Sequence, residues 1–107
     1  MRSFELRHGE VLLASLHEVE MDMPWFICRF EPTDSFDGFR PLFEQLAECT
    51  YSSDWETFDR LYERVQNVLR LADVKEPELI GNFLLHIEGD EARFRFMTKA
   101  ESEDSER

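Results

Sequence analysis

The stretch Pro24-Trp25-Phe26-Ile27-Cys28-Arg29-Phe30-Glu31-Pro32 carries apolar side chains at consecutive positions between two prolines. As a β-strand it points Phe26, Cys28 and Phe30 to one side and Trp25 and Ile27 to the other. A sheet with one solvated face alternates apolar and polar residues. This strand does not, so a fold that contains it must cover both sides or present an apolar face to a partner.

Other patterns supply the remaining elements. Phe4-Glu5-Leu6-Arg7 and Val11-Leu12-Leu13-Ala14-Ser15-Leu16 alternate on either side of His8-Gly9. With those two residues as the loop, Leu6 lies opposite Val11 and Phe4 opposite Leu13, and all four share a face. The second strand continues to about Glu20, and Met21-Asp22-Met23-Pro24 turns the chain into the third. Near the C-terminus, Asn82 to Glu88 and Glu91 to Met97 flank Gly89-Asp90. That loop sets Ile87 against Ala92, Leu85 against Phe94 and Phe83 against Phe96, and glycine in its first position suits a type II′ turn.

Between the strands the period becomes helical. Phe36, Phe39, Leu42, Phe43 and Leu46 form one stripe. Pro41 is tolerated only in a first turn, which places a short turn at 34–37 and the regular helix from near Gly38 to about Cys49. Ser53-Asp54-Trp55-Glu56 fits a capping box. After it Trp55, Phe58, Leu61, Tyr62, Val65, Val68, Leu69 and Ala72 keep helical spacing, and Val74 to Glu78 is a connector.

The predicted fold is α+β: a five-stranded antiparallel sheet in the order β-β-β-α-α-β-β, with two helices packed on one face. It is one domain over residues 1–99. Two helices with one apolar stripe each cover one side of such a sheet. The register leaves Leu12, Ala14, Leu16, Trp25, Ile27 and Leu84 on the helix-free face, with Arg29 at the border. The candidate interface is accordingly Leu12, Leu16, Trp25, Ile27, Arg29 and Leu84. A homodimer is its simplest cover, because a two-fold axis buries a patch against itself.

Charge narrows the function. The chain has 24 Asp+Glu against 12 Lys+Arg, a net charge of −12. Residues 100–107 hold four acids and one arginine, −3, which leaves −9 for residues 1–99. Such a surface disfavours nucleic acid and anionic membrane and suits a basic protein partner. No segment approaches the roughly 20 apolar residues of a membrane span, and no secretory leader pattern opens the chain. Cys28 and Cys49 lack metal-ligand spacing and are expected to stay reduced in a cytoplasmic protein.

The chain lacks GxGxxG, phosphate-loop and GxSxG patterns. His17 could approach Cys28 from a neighbouring strand, without the third group that a working pair requires. His86 and Glu88 face Arg93 and Arg95, which repel a cation. No catalytic, cofactor-binding or metal residue is therefore assigned. The expected function is a non-catalytic protein–protein interaction module, regulatory or of the immunity type that blocks a toxin's basic active site. The alternative is a small-molecule-binding domain or small enzyme with a pocket between helices and sheet.

The acidic tail at 100–107 offers no apolar area to offset ordering entropy and is expected to be disordered. Deleting it should leave the thermal midpoint nearly unchanged. A drop of many degrees on differential scanning would show instead that it docks.

Overall fold

The computed structural model describes residues 2–75, 79–80 and 82–96. Strands β1 (Ser3–His8), β2 (Val11–Asp22) and β3 (Trp25–Pro32) form a meander. A 3-10 turn (Asp34–Gly38) leads into α1 (Arg40–Ser52) and α2 (Trp55–Val68), followed by β4 (Arg70–Asp73), β5 (Leu79–Ile80), β6 (Phe83–Glu88) and β7 (Glu91–Phe96). The strands make one antiparallel sheet in the order β5-β4-β1-β2-β3-β7-β6. Over the described residues the chain is α+β with two α-helices. The described sheet has six strands of four or more residues and the two-residue β5, where the sequence predicts five. The acidic tail lies outside the described residues.

The additional strands follow from an unpaired edge. Leu69 and Ala72 keep helical spacing with Val65, but Leu69 and Leu71 also alternate around Arg70. A helix there would leave one side of β1 without hydrogen-bond partners. The chain instead becomes extended at Leu69, which caps α2. β4 then pairs Leu6 with Leu71 and Phe4 with Asp73, burying Leu69 and Leu71.

The β6–β7 register is the predicted one. The first hairpin differs by one residue. Its loop is Gly9-Glu10, so His8 faces Val11, and each hairpin loop opens on a glycine with φ near +60°, at +62° and +57°. Glycine supplies that conformation without a Cβ penalty. The shift leaves Val11 exposed at the loop, where the sequence expectation places it inside.

A β-bulge then reverses the alternation of β2. Arg7 pairs with Leu12 while Leu6 pairs with Ala14, so Leu13 is an extra residue with no partner in β1. Beyond the bulge Ala14 and Leu16 fall on the face of Phe4 and Leu6. The expectation that they point away from the core is corrected, and Leu16 is 0% exposed. Thr33 satisfies the bulge: its N–H donates to the Leu13 carbonyl (2.8 Å) and its hydroxyl contacts the carbonyls of Leu12 (2.7 Å) and Leu13 (3.1 Å).

The core is built around aromatic rings. Phe94 stacks on Phe26 at 5.0 Å and meets Phe4 edge-on at 4.7 Å, while Phe36 of the 3-10 turn contacts Phe30 at 5.0 Å. Arg2 closes one end. Its guanidinium lies 5.0 Å from the Phe4 ring and 5.2 Å from that of Phe26, and it pairs with buried Asp73 at 2.8 Å. Pro41 sits in the first turn of α1, as predicted. Ser53 does not cap α2. It adopts φ 59° and closes α1, so Asp54 is the N-cap and accepts from the Thr57 N–H at 3.2 Å.

Thr33→Val should cost about 1–2 kcal/mol, because it removes a hydroxyl from part-buried carbonyls while keeping the side-chain shape. Urea denaturation checks this. An unchanged midpoint would show that the bulge does not depend on that hydroxyl.

Candidate functional site

The residues expected on the helix-free face separate in space. Leu16 is in the core. Leu12 pairs with Arg7 on the β1–β2 side of the sheet, and Arg29 is exposed and tied to Glu31 at 2.9 Å. Trp25, Ile27 and Leu84 remain on the outer face, half-buried. The rest of that face is largely charged, so the predicted apolar patch is not continuous.

Leu84 is covered in part by the protein itself, because α2 reaches the edge of β6 through Tyr62 and Phe58. The buried Tyr62 hydroxyl donates to the Phe83 carbonyl (2.7 Å) and accepts from the Leu85 N–H (2.8 Å). A side chain on α2 thereby pairs backbone groups of an edge strand. The position lets α2 reach the outer face, where the Phe58 ring lies 5.8 Å from His86. Tyr51 at the end of α1 reaches the same strand by a hydrogen bond to Glu88.

These contacts form a continuous aromatic run. Trp25 lies 5.6 Å from His86, and Phe58 stacks on Tyr62 at 5.6 Å and meets Trp55 edge-on at 5.7 Å. The Arg93 guanidinium sits 5.9 Å from the Trp25 ring at one end. At the other end Trp55 is 51% exposed. Between α2 and β6 lies a groove of about 470 Å³, with Trp55, Phe58, Tyr62 and Leu84 on its walls and Asp59, Glu63 and Gln66 completing its lining. The sequence signal was present, since Trp55, Phe58 and Tyr62 are three and four residues apart. All three were assigned to the buried stripe, although the helix turns Trp55 outward.

Two other cavities bear on function. A shallow cleft of about 730 Å³ between the end of α1 and the start of α2 is lined mainly by polar side chains, including Glu48, Ser52, Asp54 and Thr57. A more enclosed pocket of about 140 Å³ lies between α1 and the β6–β7 hairpin, with Phe43, Leu46, Leu85, His86 and Arg93 among its walls. The latter lies between helix and sheet, as the small-molecule alternative requires, but is well below the 300 to 1,000 Å³, roughly, of a drug-sized ligand site; the α2–β6 groove reaches that volume and is more open.

Nucleophilic chemistry finds little support in the geometry. Burial, and secondarily the nearby Glu18, push the Cys28 thiol up to about 12, so it is protonated and unreactive near neutrality. Ser3, His17 and Glu31 form a chain that sequence reasoning missed, with Ser3 Oγ 3.1 Å from His17 Nδ1 and Glu31 Oε1 2.9 Å from His17 Nε2. The order resembles a nucleophile, base and orienting acid, but its setting differs from a catalytic one. All three sit on a sheet face, Glu31 is shared with Arg29, and none of them lines the cavities above. His17, then Arg29, hold the Glu31 carboxyl below its usual range. The chain acts as a cross-strand latch. Among the described residues no group of three or more His, Cys, Asp and Glu is placed to hold a metal ion, and no helix is long and apolar enough to cross a membrane.

Comparison with known proteins finds no matching family model, no matching curated protein and no matching solved structure.

His86 sits inside the aromatic run, and burial, then Arg93, lower its pKa from the usual 6.5, with Glu88 opposing. The native state therefore binds fewer protons than the unfolded chain between the lowered value and 6.5. This contribution to stability is present above 6.5 and is lost as pH falls through the lowered value. Thermal midpoints from pH 7.5 to 5 should fall more steeply for the wild type than for His86→Gln (a range chosen to span the ordinary histidine value, about 6.5). Parallel curves would show that His86 is not desolvated.

Proposed function

We propose that this chain is a non-catalytic protein-binding module that uses the aromatic run from Trp25 through His86 and Phe58 to Trp55. One observation carries the reading. An indole half exposed to solvent ends a continuous line of rings in which Phe58 and Tyr62 are buried and Trp25 and His86 half-buried. Tryptophan at the centre of an interface is the residue type that most often dominates binding. Trp25 and Leu84 keep their place in the proposed interface, and Leu16 leaves it.

A protein partner accounts for this surface better than a second copy does. The homodimer expected from the sequence drew on Trp25 and Ile27 with Leu12, Leu16 and Leu84, and of these Leu16 is a core residue. Two copies joined through the groove would also bring Asp59 and Glu63 near their own counterparts. The small-molecule reading has a 140 Å³ pocket that is too small and, in the 470 Å³ groove and the 730 Å³ cleft, sites that are open and lined in part by charged side chains. A regulatory or immunity-type role fits a module of net charge −12, which suits a basic partner. Its two free, buried cysteines suit a reducing compartment such as the cytoplasm.

Affinity capture with the immobilised protein, compared between wild type and Trp55→Ser, tests the reading. A protein retained by the wild type and lost with the variant is expected, with both baits folded by circular dichroism. Identical retention by both baits would remove Trp55 from the binding surface and end this proposal.

A further inference from the structure

We infer that the occupant of the groove between α2 and β6 is a cationic amphipathic helix of the partner. The inference rests on the protein-binding reading and specifies its chemistry.

Three observations carry it. The groove offers Trp55 and Leu84 as accessible apolar surface, over a floor of Phe58 and Tyr62, and is acidic at its side. Asp59 and Glu63 are exposed one helical turn apart, and no lysine or arginine is among the residues that line it. Within a chain of net charge −12, that combination favours a ligand with an apolar stripe flanked by positive charge. Asp59 also lies one turn from Trp55. An arginine or lysine placed there can lie over the indole while its charge meets the carboxylate.

The backbone beside the groove opposes the other common mode. An extended segment would bind by adding a strand to the edge of β6. At Phe83 and Leu85 that edge is already paired, because the Tyr62 hydroxyl holds the carbonyl of one and the N–H of the other. Recognition here has to work through side chains. From Trp55 to Gln66 is eleven residues, about 16 Å at 1.5 Å per residue, the length of roughly three helical turns. Phe58 and Tyr62 form the buried floor of the groove, and the apolar stripe of such a helix would meet the exposed Trp55 indole and the half-buried Leu84.

Isothermal titration of the full chain with a designed fourteen-residue leucine–lysine amphipathic helix tests the inference, with the leucine–glutamate counterpart as the opposite-charge probe. The lysine helix should bind at one site and the glutamate helix should not. D59K/E63K and Trp55→Ala should each weaken binding by about tenfold or more. The milder D59N/E63Q should weaken it less, and E44K/E48K on α1, with the same change in charge, should leave it intact. Equal loss with E44K/E48K would mean unspecific attraction to an acidic protein and would overturn the inference, as would binding of the glutamate helix or no binding of the lysine helix. A captured partner that depends on Trp55 but ignores D59K/E63K would also overturn it, while leaving the protein-binding reading in place.

Discussion

The fold depends on one extra residue in β2. Alternation along a strand is strict, so only an insertion can move side chains from one face to the other. Leu13 is that insertion, and it carries Ala14 and Leu16 from the outer face into the core beside Phe4 and Leu6. The bulge persists because its freed carbonyls find partners in Thr33, the residue after β3. Thr33 also begins the path toward Phe36, whose ring packs against Phe30. Strand inversion, bulge satisfaction and entry into the helical segment are thus joined at one place.

How β3 covers both its faces is resolved by the same geometry. Phe26, Cys28 and Phe30 are buried against the core, as their alternation requires. Trp25 is not left on an open apolar face. It sits between the His86 ring and the Arg93 guanidinium, groups from the two strands beyond its own edge. The removal of Leu16 and Ala14 from that face, with charged ladders such as His17–Glu31 in their place, leaves a far smaller apolar surface than the sequence implies. Two helices can also serve more than one side when one of them straddles a sheet edge.

The sequence was most legible where local signals agreed. In the β6–β7 hairpin the alternation, the glycine and the two-residue loop all point to one register, and the structure has it. Pro41 located the start of α1 for the same reason. The first hairpin was misplaced by one residue because His8-Gly9 and Gly9-Glu10 are both possible loops, and only the second puts glycine first. No local pattern could reveal the bulge, since its partner Thr33 is 20 residues from Leu13. Nor could the residues of β4 choose between helix and strand by themselves. Their spacing fits both, and the unpaired edge of β1, more than sixty residues away, decides.

The candidate site was legible in parts and misread in its assembly. Trp25 and Leu84 were identified as outward-facing, but the groove also needs α2, which sequence patterning assigns wholly to the inner face. Tyr62 is the side chain that makes the difference. A phenylalanine there could fill the same apolar space, but it could not hold the Phe83 carbonyl and the Leu85 N–H. Pairing those groups fixes α2 at the sheet edge, and from there Phe58 reaches His86 while Trp55, one turn earlier, passes beyond the core into solvent. Protection of the edge and exposure of the indole are consequences of one helix position. A β6 edge left bare would be a template for unspecific strand pairing. Closing it with a helix replaces backbone recognition by a surface of chosen side chains, on which aromatic area supplies affinity and the neighbouring carboxylates select the charge of what binds.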